Sequence, residues 1–99
     1  MNDRELLELA AKASGVHLYW MALSGPVIVE SGVNWNPLTD DGDALRLAVR
    51  LGIDLVFFPH KVTASCGDIK IDQFYNEHNN DECATTRRAI VCVAAKLAW

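Results

Sequence analysis

Residues 34–53 constrain this chain more than any other stretch, because a helix and both of its ends are written into them. Asn36-Pro37 bars helix on the N-terminal side, since proline pushes the residue before it away from helical angles. Thr39 or Asp40 then stands where an N-cap belongs. Asp40, Asp41 and Asp43 crowd the first turn, where the helix dipole favours negative charge. Ala44, Leu45, Ala48, Val49 and Leu51 follow as a broad apolar stripe, with Arg46 and Arg50 one turn apart on the wet side. Gly52 is a C-cap. The pattern predicts a helix over residues 39–51 and a strand from Ile53 onward.

Two further helices follow the same logic. Over residues 3–13, Leu6, Leu7, Leu9, Ala10 and Ala13 form an apolar face against Arg4, Glu5, Glu8 and Lys12; Asn2 or Asp3 caps the start and Gly15 stops it. Over residues 82–98, behind Asn80 or Asp81, Ala84, Ile90, Val91, Ala94, Leu97 and Ala98 face inward. Arg87, Arg88 and Lys96 face outward, and Cys92 reads as a small core hydrophobe.

Between the helices lie β-formers. Val16–Leu23 and Val27–Glu30 flank Ser24-Gly25-Pro26 and predict an antiparallel hairpin. Ile53–Phe58 is continuously apolar, the pattern of a central strand covered on both faces. Lys61–Cys66 alternates like an outer strand, and Ile69–Ile71 extends it beyond a turn at Gly67-Asp68. Gln73–Asn80 is polar and reads as a mobile loop. The expected fold class is α+β: a helix/sheet/helix sandwich in the order α-β-β-α-β-β-(β)-α, with a mostly antiparallel sheet of four or five strands.

Ninety-nine residues make one domain, 1–99 without a linker, long enough to bury a real core. The longest apolar runs fall far short of the ~20 residues that span a bilayer. The mixed-charge start Met1-Asn2-Asp3-Arg4-Glu5 is unlike a signal peptide. Three cysteines with no CxxC pair fit free thiols in a reducing compartment, so a cytoplasmic protein is expected. A net charge of −4 disfavours nucleic-acid backbone binding.

Three blocks of the chain resemble a group of small phage and prophage proteins described as having a "phage ABA sandwich" domain: Met1–Ala13 with Gly15, Trp35–Ala44, and Ala84–Val91. The Asn36-Pro37 start, the Gly52-Ile53 stop and the Arg87-Arg88-Ala89-Ile90 helix are more distantly similar to NinX-like phage proteins. The resemblance frames the full chain, although residues 60–80 match nothing in it. It implies a sandwich fold and a phage or prophage origin, and it brings no activity with it. Function enters only through context, since phage accessory genes of this size commonly encode proteins that bind and blunt a host factor or defence system.

The chemistry is sparse. Asp40, Asp41 and Asp43 suit a hard cation, but they lack the alternate spacing and the distal glutamate of a calcium loop, and capping accounts for them. Trp35 is either a recognition aromatic or a loop anchor, the anchor being favoured. His17, His60 and His78 with Cys66 and Cys83 show no zinc spacing, so no metal or cofactor is expected. No nucleophile motif or phosphate-cradling glycine pattern occurs, and His60 with Cys66 has no orienting acid. The protein is not expected to be an enzyme.

The leading expectation is therefore a non-enzymatic inhibitor of a host effector or regulator, anti-CRISPR-like in kind. Its contact patch would hold Trp35, Phe74 or Tyr75 and the 73–80 loop. The alternative is a binder or sponge for a nucleotide signal, built on Arg46, Arg50, Arg87 and Arg88 as a basic stripe. A structural phage protein is the second alternative. The apolar C-terminus around Trp99 clamps the last helix to the core or supports a homodimer.

Overall fold

A computed structural model describes residues 1–99. Three helices and five strands follow one another as α1 (Asp3–Ser14), β1 (Leu18–Met21), β2 (Gly25–Ile28), α2 (Asp41–Leu51), β3 (Asp54–Phe57), β4 (Lys61–Cys66), β5 (Ile69–Phe74) and α3 (Glu82–Leu97). A 3₁₀ turn over Tyr75–His78 occupies much of the expected polar loop.

Each helix starts where a side chain takes up an orphan amide. Asn2 accepts from the Glu5 N–H, Asp40 from Asp43, and Asp81 from Ala84. Gly15 and Gly52, at φ 75° and 68°, close α1 and α2 in the left-handed conformation that a side chain would disfavour.

The strands form two sheets. β1 and β2 pair antiparallel, Leu18 opposite Ile28 and Met21 opposite Gly25. β3, β4 and β5 make a separate antiparallel sheet in that order. The expected single sheet of four or five strands does not form, because the outer side of β2 is already occupied. Ile28 N–H donates to Val33 C=O at 2.9 Å and Trp35 N–H to Pro26 C=O at 3.0 Å, while Pro26 has no N–H to offer. Pro26 itself lies within β2, where the sequence suggested a turn residue.

A second correction concerns β3. Its apolar run predicts a central strand with both faces covered, yet β3 lies at the sheet edge with Asp54, Val56 and Phe57 exposed. Connectivity decides this. β4 is hairpinned to β3 through Pro59-His60 and to β5 through Gly67-Asp68, so β4 is central. The helices also lie to one side of this sheet. Val62 and Ala64 of β4 are fully buried beneath α3, whereas Lys70 and Asp72 of β5 face water on the other side.

α3 occupies the middle of the core. It packs on β4 and β5, carries α1 and α2 on its flanks, and has Thr85, Ala89, Val91, Val93 and Ala94 wholly buried. Over residues 89–95 the helix is apolar all round, as an enclosed segment is, and its alanines let the neighbours approach closely. Leu6, Leu7, Ala10 and Ala11 of α1, Ala44, Leu47 and Ala48 of α2, Ile53 and Trp35 join the cluster.

Candidate functional site

Beside this core the surface opens into an apolar groove of about 660 Å³. Its walls come from three places that the fold brings together. The first turns of α2 supply Asp41, Ala44 and Leu45. β3 and the turn after it supply Leu55, Phe57, Phe58 and Pro59, and α3 supplies Glu82, Cys83, Thr86, Arg87 and Ile90, with Tyr75 at the base. Leu55 and Phe57 point into the groove because they share a sheet face with Val62 and Ala64, their cross-strand partners.

The groove is hydrophobic inside and charged at the rim. Leu45 and Phe57 are each 62% exposed and Phe58 is 41% exposed, an unusual share for side chains of this size on neighbouring elements. At the rim, the Arg87 guanidinium donates to Asp41 Oδ1 at 2.6 Å and to the Leu38 carbonyl at 2.8 Å, so its charge is already matched. Such a groove has the size and lining to take apolar side chains. It assembles no nucleophile with a base: Cys83 is an exposed thiol, and His60 and Cys66 lie at opposite ends of β4.

No family model matches this chain, and no curated protein or solved structure does. The arrangement of its own residues carries the functional reading.

The structure gathers three of the sequence-predicted site residues, Asp41, Tyr75 and Arg87, around the groove. Tyr75 is there as a base, only 7% exposed. The others lie elsewhere. Trp35 is 6% exposed and sits in the core cluster, the anchor position. Phe74 ends β5 on the outer sheet face, where its ring and that of Phe58 flank the Lys61 ammonium at 5.8 and 5.2 Å. Asp40 caps α2. Asp43 accepts from the Asn36 N–H at 2.9 Å and from Arg46 at 2.8 Å, closing the Trp35 loop onto the helix.

The four arginines do not form one stripe. Arg88 pairs with Asp3 of α1 at 3.0 Å, while Arg87 is turned toward α2. Arg46 and Arg50 line a separate hollow of about 400 Å³ between α2 and the β1–β2 hairpin, where Asp43 already holds Arg46.

The sequence reading missed Leu45, Phe57, Phe58 and Cys83 as surface groups. A signal for two of them was present: turns at Pro59-His60 and Gly67-Asp68 make two successive hairpins, which puts the Phe57-Phe58 strand at an edge. Nothing local marks Leu45, which belongs to the same apolar stripe as its buried neighbours.

Proposed function

We propose that this chain is a small non-enzymatic protein-binding domain, a phage- or prophage-type accessory protein that docks on a host factor or defence protein in the bacterial cytoplasm and blocks it. One observation carries the reading. The largest apolar groove lies between α2, β3 and α3 with Leu45 and Phe57 exposed along it, while buried polar side chains are all satisfied internally. Large apolar side chains held out in water beside a charged rim are the anatomy of a docking surface, in which a few buried anchors dominate affinity. The phage context comes from the resemblance of the helical blocks. No helix is long and apolar enough to cross a membrane, which fits a partner met in solution.

The test is capture from bacterial lysate with the tagged protein and with Cys83→Arg, which fills the exposed α3 wall of the groove without touching the core. The expected result is a stoichiometric host protein held by the parent and lost by the variant, with both melting at the same temperature. Equal capture by both proteins, or a small molecule retained in place of a protein, would overturn the reading.

A further inference from the structure

We propose that the open edge of β3 is the interface of a twofold dimer, in which β3 pairs antiparallel with β3 of a second copy and the two three-stranded sheets join into one of six strands. The dimer shares Leu45, Phe57 and Phe58 with the docking groove, so a second copy and a host protein compete for them, while Glu82 and Cys83 on α3 belong to the groove alone.

The backbone supplies the first argument. Phe58 N–H donates to Lys61 C=O at 2.9 Å, so Phe58 directs its peptide groups at β4. Antiparallel alternation then turns Val56 and Asp54 the same way and leaves the N–H and C=O of Leu55 and Phe57 facing the open side. Natural edge strands are blunted by lysine, proline or inward charge, and β5 at the other edge carries Lys70 and Asp72. β3 carries one charge, Asp54, at its very start, followed by Leu55-Val56-Phe57-Phe58. Its composition is that of a central strand, and pairing with a copy makes it one.

The side chains agree with one register. With Val56 opposite its own copy on the twofold axis, Leu55 stands opposite the copy's Phe57, and the outward peptide groups exchange four hydrogen bonds. Asp54 falls opposite the copy's Phe58, so the two Asp54 carboxylates stand about four residue steps apart, ~13 Å, beyond the screening length in physiological salt.

Area supports the same occupant. Val56 is 49% exposed and Phe57 62%, and along the same flank α2 shows Leu45 and Val49, one turn apart, at 62% and 73%. With Phe58 these side chains expose on the order of 500 Å² per protomer, or about 1,000 Å² for the pair before backbone and rim are added, where specific interfaces begin. A second copy meets the edge with the same apolar stripe on its own α2.

The experiment is light scattering on a sizing column at tens of micromolar protein, with three variants. The parent is expected at about twice its 10.9 kDa chain mass. Val56→Lys, the natural edge-blunting residue on an already exposed side chain, is expected to elute as a folded monomer. Val56→Cys tests the register without relying on loss. Facing cysteines of a non-hydrogen-bonded pair stand about 4.5 Å apart at Cα, within disulfide reach, so a cross-linked dimer forms on oxidation. Asp54→Cys, whose opposite residue is Phe58 of the copy, stays uncross-linked. A monomeric parent, a Val56→Lys dimer, an open-ended oligomer, or a dimer in which Val56→Cys fails to link would each overturn the proposal. Host capture by monomeric Val56→Lys would leave the docking reading standing whatever the dimer does.

Discussion

Arg87 of α3 reaches 46 positions back along the chain to pair with Asp41 in the first turn of α2, at 2.6 Å. Its Nε also donates to the Leu38 carbonyl, so one planar side chain ties the entry loop of α2 to the central helix. The Arg87 side chain is 17% exposed and that of Asp41 72%, which discounts the ion pair but not the bond to Leu38. Arg87→Ala is expected to lower unfolding free energy by about 1–2 kcal/mol, mostly through the Leu38 carbonyl left without its donor. Arg87→Lys, which keeps the charge but not the fork, should recover less than half of that loss, and Asp41→Asn should cost under ~0.5 kcal/mol. Urea titration of the three variants checks the ordering. A large Asp41→Asn effect with a small Arg87→Ala effect would contradict it.

Trp35 carries the second prediction. Its N–H is held by Pro26 and its ring is buried between the hairpin and α2, so truncation to alanine should cost about 3–5 kcal/mol. Trp35→Phe should cost less, since part of the volume remains. If Trp35 were a contact residue instead, Trp35→Ala would leave the melting temperature unchanged and weaken only partner capture. Thermal unfolding of both variants beside the lysate capture separates the two roles.

What the sequence showed and what it hid divide along the range of the forces involved. The helix ends were legible because caps are local: Asp40 meets the amide three residues on at 2.8 Å, and Gly52 needs only its own positive φ. Periodicity gave much of the inward faces of α1 and α3, but on α2 it placed Leu45 and Val49 inward where they are exposed and passed over Leu47, which is buried, and on α3 it placed the exposed Leu97 inward. Sheet membership was not, because whether β2 joins β3 depends on Val33–Trp35 folding back along β2, a tertiary event with no local mark. Ile53–Phe58 was read by composition as covered, and composition does not say which neighbour covers it. At the site, Asp41 and Arg87 stood out as charged residues on predicted helices, but only the packing of α2 on α3 makes them one rim. Tyr75 and Phe74 are adjacent in sequence and read as one exposed patch. The end of β5 sends them opposite ways, Tyr75 into the core and Phe74 onto the outer sheet face.

Asp72 on that outer face contributes to the pH dependence. Thr63 Oγ1 donates to Asp72 Oδ1 at 2.6 Å, and Lys61 Nζ lies 3.2 Å from Oδ2 across the β4–β5 pair. The Thr63 hydrogen bond first, then Lys61, holds the Asp72 carboxyl below its ordinary value of 3.8. A carboxyl whose folded value lies below its unfolded one binds fewer protons when folded. Its contribution to stability is therefore complete above the ordinary carboxylate range and is lost as pH falls through 3.8 toward the folded value. Glu30, lowered by its 2.6 Å bond with His17, acts in the same direction on the hairpin. Thr63→Val removes the largest cause at Asp72 and keeps the shape of the strand. The drop in melting temperature between pH 6 and pH 3 is then expected to be smaller in Thr63→Val than in the parent, even though the variant starts lower at pH 6. Parallel curves for the two proteins across that interval would show that Asp72 is not held down by Thr63, and would move the acid sensitivity of the sheet to Lys61 alone.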